Sequence, residues 1–165
     1  MEQSGEYLDS PKNIGKFVLK NQPLLCYNRI TNPTTMNHHA TAVLIICKEG
    51  TPLVKDPKKP SPLYWKLPGG RSEGNETAEE CAIREIYEEL GLTIEKENLK
   101  IIDQQDKGTH TLTLFTTELP SLDGLIKIGN DDEEIGVFKL SEIADMPDFF
   151  PNHKNIVEKI VQLYQ

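Results

Sequence analysis

Three cysteines, Cys26, Cys47 and Cys81, are too few, odd in number and without metal-ligand spacing, which excludes a disulfide framework and a thiolate metal site. They are expected to be reduced thiols of a cytosolic protein, with Cys47 and Cys81 as packing residues. Basic residues are also in deficit: 18 Lys and Arg stand against 26 Asp and Glu, a formal net charge of -8. That balance leaves no basic stripe to displace counterions from an extended nucleic acid. A small phosphorylated ligand is not excluded, because metal ions and a few local cations can meet its charge. No run of about 18 apolar residues occurs, and the polar opening MEQSGEYLDSPKNIGK has no apolar h-region. Neither a membrane span nor a secretory signal is therefore expected. Repeats and low-complexity tracts are missing as well, and 165 residues suit one domain with its own core.

What the chain does have is acid concentrated on one stretch, GRSEGNETAEECAIREIYEELGL from Gly70 to Leu92. Thr77 and Glu80 have the spacing of a capping box, and Gly91 stands where a left-handed residue would end a helix. The pattern predicts a helix over about Ala78 to Leu90. At roughly 100° per residue, Glu85, Glu88 and Glu89 share an arc of about 100° while Ala82, Ile83, Ile86 and Leu90 cluster beside them. Carboxylates at i, i+3 and i+4 repel one another by a few tenths of a kcal/mol per pair, a cost that a cation removes. A solvated acidic face would explain the helix alone, but it leaves Pro68-Gly69-Gly70 and Glu76 unexplained.

Gly70, Glu76, Arg84, Glu85, Ile86, Glu88, Glu89, Gly91 and Leu92 fill G-x5-E-x7-R-E-U-x-E-E-x-G-U, with U aliphatic. This run resembles the Nudix box with every defining position occupied, and Trp65-Lys66-Leu67-Pro68-Gly69-Gly70 resembles its usual entry. A long motif in a loop-helix context is far more specific than a short one. The resemblance implies an α/β fold, a mixed β-sheet in an α/β/α sandwich over residues 36–165. It also implies a Mg2+- or Mn2+-dependent hydrolase in which water attacks phosphorus of a nucleoside diphosphate linked to a second moiety X. On it, Glu85, Glu88, Glu89 and the Gly69 carbonyl hold the metal, and Arg84 and Glu76 orient the glutamates. Glu85 is one candidate for orienting or deprotonating the water. Magnesium suits such a site, since it takes oxygen ligands and is commonly shared between one or two carboxylates and substrate phosphates.

Further residues come from the same resemblance. An acidic ligand just before the last strand is carried by Glu133 or Glu134, with Glu134 taken as the metal ligand; a solvated loop explains both equally well, since Asp131 and Asp132 belong to the same charge run. Lys66, Arg71 and Asn152 are candidates for binding substrate. Asn152 lies in a segment resembling that in which the MutT branch reads a purine with an asparagine, although a helix N-cap accounts for it without any ligand. Of Lys55, Lys58 and Lys59, at least two are expected only to solvate their loop. His38, His39 and His110 read as ordinary solvated residues, and Trp65 as core.

The remaining elements are read from periodicity. Ala40 to Cys47 is a buried strand ending at Lys48-Glu49-Gly50, with Thr51 to Val54 expected as its hairpin partner. Leu99 to Asp103, His110 to Leu119 and Ile135 to Leu140 are further strands, Ser141 to Ala144 a helical turn, and the chain from Asn152 an amphipathic helix. Residues 1–35 are an N-terminal extension, with Lys16 to Tyr27 able to add a strand or hairpin.

Substrate markers of the family are missing. A proline linked with ADP-ribose hydrolases would fall at Lys107 or Gly108, and a tyrosine linked with dinucleoside polyphosphate hydrolases near His110. That leaves a MutT-like preference for a (d)NTP, with nucleotide sugars next and ADP-ribose or dinucleoside polyphosphates behind. A catalytically inert nucleotide-binding regulator is the alternative of another class, but it would be free to lose Glu85, Glu88 or Glu89, and all three are present. The expected partner is a small nucleotide, with no extended nucleic acid and no membrane, and the chain is expected to be a cytoplasmic monomer or homodimer.

Overall fold

The computed structural model describes residues 38–164. Expectations for residues 1–35, including the added strand or hairpin, and for Cys26 lie outside the described residues.

Strand β1 (His39–Ile46) runs parallel to β4 (Thr111–Glu118), and β3 (Lys100–Asp106) pairs antiparallel with β4, giving the order β1-β4-β3. A second sheet pairs β2 (Thr51–Lys55) antiparallel with β5 (Glu134–Phe138). The helices are α1 (Ala78–Leu90), α2 (Leu140–Asp145) and α3 (Pro151–Tyr164), with a short 3-10 turn over Lys96–Asn98.

Period-two alternation along the central strands sorts the apolar residues into two layers. Val43, Ile45 and Phe115 pack with Ala82, Ile86 and Leu90 of α1. Ala42, Leu44 and Leu114 pack with Val157, Ile160 and Val161 of α3 and Ile143 of α2. The mixed sheet is thus covered on both faces, the expected α/β/α sandwich. Ile86 and Leu90 are fully buried, each contributing roughly 1.5–3 kcal/mol to docking α1.

Helix α1 has the bounds its local signals predict. The Thr77 Oγ accepts the Glu80 N–H and the Glu80 carboxylate accepts the Thr77 N–H, while Gly91 adopts φ 71° and donates its N–H to the Tyr87 carbonyl.

Two readings are corrected. Thr51 to Val54 does not return along β1, because the edge of β1 is already occupied: the Thr41 N–H donates to the Gly70 carbonyl and the Val43 N–H to that of Pro68. Strand β2 therefore pairs with β5, and Val54 exchanges backbone hydrogen bonds with Lys66. The last helix begins at Pro151 rather than at a capping Asn152, which stands exposed in the first turn. Proline suits that first position, where its missing N–H costs nothing.

Candidate active site

The entry segment lies between β1 and α1, and two glycines let it press against them, Gly69 against β1 and Gly70 against α1. Gly69 has φ 138°, and a Cβ there would collide with the Thr41 carbonyl; a Cβ at Gly70 would collide with the Glu85 carboxylate. No other residue fits at either position without displacing its neighbours.

Arg84 ties the acidic face together. Its Nε and Nη2 donate to the two Glu76 oxygens at 2.8 and 3.0 Å, and its Nη1 donates to Glu85 Oε1 at 3.0 Å and Glu88 Oε2 at 2.9 Å. A further bond from Nη2 reaches the Arg71 carbonyl at 2.9 Å. This is more than an i, i+4 surface pair: one planar guanidinium fixes three carboxylates and the entry backbone. The guanidinium holds the Glu76 carboxyl below its ordinary range, and its own pKa is raised by the carboxylates around it.

Glu89 is 6% exposed. The Gly69 N–H donates to its Oε2 at 2.7 Å, and Lys66 Nζ donates to its Oε1 at 3.1 Å. Burial outweighs both partners and raises the carboxyl to about 7. Burial likewise raises Glu85, against the pull of Arg84. In both carboxyls desolvation disfavours the charged form more than the neighbouring donors favour it.

The same shift makes a stability prediction. A carboxyl with a raised native pKa favours the folded state fully below its unfolded value, and that contribution is lost as pH rises through about 7. His153, with its pKa lowered to about 4, acts in the opposite sense, so the comparison must be with Glu89→Gln. Between pH 5 and 8 the metal-free wild type is expected to lose more stability than this variant, read from urea midpoints.

The C-terminal end of α1 recruits the other acidic residues. Its unpaired Leu90 and Glu88 carbonyls accept the N–H groups of Ile126 and Asn130 at 3.0 and 3.3 Å, as helix ends require. The connection after β4 is thereby folded over the helix end. It brings Glu133, 6% exposed, to a narrow cleft of about 50 Å3 lined also by Glu85, Glu88, Glu89, Asn130 and Asp131.

Glu134 is not in that cleft. It opens β5 in register with Lys55, and its carboxylate reaches Lys55 Nζ at 3.7 Å with 66% of the side chain exposed. The strand pleat turns one of these neighbours toward Lys55 and the other inward. The structure therefore brings Glu133, and not Glu134, to the box glutamates.

Lys66 joins the cluster through Glu89, with its Nζ also 3.4 Å from the Gly69 carbonyl. Arg71 contributes its carbonyl only; its exposed residue lines a separate cavity with His38, His39, Ser72, Thr109 and His110. Asn152 is exposed, but its neighbour His153 is buried, with its ring edge-on to Phe150 at 5.0 Å and its Nδ1 without a partner among the described residues. Burial and the nearby Lys66 charge keep this imidazole neutral. Sequence reading passed over His153 because the helix start, one residue earlier than expected, decides which of the two points inward. Lys58 pairs with Asp131 at 3.1 Å and Lys59 with Asp56 at 3.6 Å. Lys55 lies over Trp65, 4.1 Å from its ring centre, and Trp65 is core.

Among the described residues no three acidic, His or Cys side chains converge closely enough to hold an ion as they stand. The donor set nevertheless suits a hard cation: Glu85, Glu88, Glu89 and Glu133 line one cleft, and burial has raised two of them.

The family model described as the NUDIX domain matches residues 36–160. The chain belongs to the Nudix family. That membership makes it a pyrophosphohydrolase. An ADP-ribose pyrophosphatase from Methanocaldococcus jannaschii is 28% identical over 89% of this chain and 84% of its own length. Phosphatase NudJ from Escherichia coli is 30% identical over 51% of this chain, which spans 57% of that protein. A solved MutT structure, from work on Aliivibrio salmonicida and Vibrio cholerae, superposes with a TM-score of 0.62 at 22% identity, covering 77% of this chain and 98% of that one. The structural likeness speaks for the Nudix fold, as the sheet order and layers do. Among the described residues no helix is long and apolar enough to cross a membrane.

Proposed function

We propose that this Nudix chain hydrolyses a nucleoside diphosphate linked to X with Mg2+ or Mn2+, and prefers a (d)NTP in the manner of MutT. The observation that carries the reading is the single cleft lined by Glu85, Glu88, Glu89 and Glu133, with the Arg84 guanidinium bonded to Glu85 and Glu88. The Gly69 carbonyl and these four carboxylates would hold the cation. When bound, it neutralises phosphate oxygens, lowers the pKa of water and stabilises the departing phosphate. Arg84, with Glu76 behind it, holds Glu85 and Glu88 in place. Lys66 keeps Glu89 against Gly69. Glu85 orients the attacking water, the role its position between Gly70 and Arg84 suits.

Residues 36–165 form the catalytic domain in this reading, with residues 1–35 as an extension, in a cytoplasmic monomer or homodimer. ADP-ribose is the second reading, favoured by the archaeal relative that matches over most of the chain; Lys107 and Gly108 at the marker positions weigh against it.

The test is Mg2+-dependent release of phosphate or pyrophosphate from dNTPs, modified dNTPs, ADP-ribose, nucleotide sugars and dinucleoside polyphosphates. Turnover fastest with a (d)NTP is expected. Saturable nucleotide binding with no turnover of any member would instead make the protein a regulator. Within the same assay, Glu133→Gln is expected to lower activity about 10- to 100-fold, whereas Glu134→Gln should stay within about twofold, as an exposed pair contributes little. The reverse order would return the ligand role to Glu134.

A further inference from the structure

Among the described residues, Arg84, Lys66 and Lys58 are the cations paired with residues that line the cleft. They are held in different ways. Each of the three Arg84 nitrogens is engaged, across Glu76, Glu85, Glu88 and the Arg71 carbonyl, so its planar fork is fixed in place. Lys58 stays at the rim, with 57% of its side chain exposed and its Nζ on Asp131.

Lys66 reaches further in. Its ammonium lies 3.1 Å from Glu89 Oε1 and 3.4 Å from the Gly69 carbonyl oxygen. Both oxygens belong to the donor set proposed for the divalent cation. One positive charge thus already bridges a carboxylate and a carbonyl, the oxygen types a hard cation takes. Glu89 has a second anchor that leaves these oxygens alone: its Oε2 accepts the Gly69 N–H at 2.7 Å, and Gly69 is packed in turn against Thr41 of β1. What the ammonium holds is therefore Oε1 and the carbonyl.

Lys66 is also built to let go. Its backbone is fixed, with the N–H on the Val54 carbonyl at 2.9 Å and the carbonyl accepting the Val54 N–H at 3.0 Å. Its charge sits at the end of a flexible stem and is a point rather than a fork. With 27% of the side chain exposed, the tip can move to water while the rest of the residue stays. An ammonium and a divalent cation repel each other and cannot share the same two oxygens.

We propose that Lys66 is the resident counter-ion of the cation site: its ammonium holds Glu89 Oε1 and the Gly69 carbonyl while no divalent cation is bound, and releases both when one binds. The inference rests on the metal-dependent reading and deepens it, since cation binding becomes an exchange of charges rather than a simple addition. The part Lys66 plays in keeping Glu89 against Gly69 ends at that exchange, and the Gly69 N–H keeps Glu89 in place afterwards. Removing the ammonium then strengthens cation binding by the free chain. A lysine that only supported Glu89 would give the opposite sign.

The experiment uses the full chain without nucleotide, at about pH 8, above the value of about 7 for Glu89. In one arm, free Mn2+ is followed by electron paramagnetic resonance as it is added to wild type, Lys66→Met and Lys58→Met. Methionine keeps an unbranched stem and removes the charge. Lys66→Met is expected to bind Mn2+ about tenfold more tightly, the scale of one hydrogen bond to a charged group. Lys58→Met removes an equal charge from the rim and should stay within about twofold of wild type, as an exposed pair contributes little. The other arm needs no variant: lysine acetylation in the wild type is followed by mass spectrometry with and without Mg2+, at matched ionic strength. Lys66 is expected to react several-fold faster with Mg2+, because an ammonium freed from its acceptors beside a divalent charge loses its proton more readily.

Weaker Mn2+ binding by Lys66→Met would make this lysine a fixed support of Glu89 and overturn the proposal. An equal gain in Lys58→Met would overturn it too, by showing only the loss of a nearby charge. An unchanged Lys66 acetylation rate at saturating Mg2+ would overturn it from the wild type alone, even should Lys66→Met fail to fold. Mn2+ binding that ignores Lys66 removes the exchange and leaves the metal-dependent reading standing. If neither wild type nor Lys66→Met binds Mn2+, the cation site itself fails and the proposal with it.

Discussion

Glu85→Gln is expected to lower kcat on the best substrate by about 10^2- to 10^4-fold, the range for removing a group that handles the reacting proton. Glu85 is singled out because three features meet on it: Gly70 leaves room only for its carboxylate, Arg84 fixes one oxygen, and burial raises its pKa. The amide keeps the shape and most of the packing while removing the negative charge. The fold should persist, checked by circular dichroism and a thermal melt within a few degrees of wild type. Activity near the wild-type rate would remove Glu85 from the chemistry and return the water-orienting role to another carboxylate of the cleft.

Arg84→Ala is the second large effect. The substitution strips Glu76, Glu85 and Glu88 of their shared cation and frees the Arg71 carbonyl. Breaking a fully buried pair costs about 3–5 kcal/mol, but Arg84 and Glu76 each keep 21% of the side chain exposed, so solvent reduces the loss to about 1–2 kcal/mol. Activity should fall about 10- to 100-fold, as for other groups that orient metal ligands. Arg84→Lys tests whether charge alone suffices. A lysine supplies a point charge and cannot reach both Glu76 oxygens while holding Glu85 and Glu88, so rescue is expected to be slight. Full rescue by lysine would reduce the network to simple charge balance.

The two effects differ in kind. Losing Glu85 should change kcat with little change in stability, whereas losing Arg84 should change both. Urea midpoints measured beside the kinetics separate them.

Helix α1 was legible residue by residue because everything that sets it is local. The Thr77–Glu80 box, the Gly91 stop and the apolar arc around Ile86 all act within a turn or two. The central strands were legible for a similar reason, as alternating runs announce a sheet buried on both faces. The partner of β2 was not, because it depended on which segment already occupied the edge of β1. That segment was the glycine-containing entry to α1, whose Pro68 and Gly70 carbonyls bind the Val43 and Thr41 N–H groups across 25 and 29 residues of chain.

The acidic residue outside the box shows the same divide. Glu133 and Glu134 are chemically alike, and only the register of β5 against β2 turns Glu134 to Lys55 and leaves Glu133 in the cleft. Asn152 and His153 differ by the position of a helix start, set by the packing of Phe149 and Phe150 and by Pro151. The histidines at the head of β1 and in the β3–β4 turn looked like separate solvated residues. Parallel pairing of β1 with β4 places His39 beside Thr111 and so brings His38, His39 and His110 to one cavity with Arg71.

By itself the sequence determined the family, the reaction class and the carboxylate-bearing helix, because these rest on residue types at short fixed spacings that helix and turn geometry translate directly into space. The tertiary structure decided which distant residues lie together: Glu133 rather than Glu134 beside the box glutamates, and His153 rather than Asn152 turned inward. Each of those choices depends on strand register or on the end of a helix, where a shift of one residue exchanges an inward side chain for an outward one.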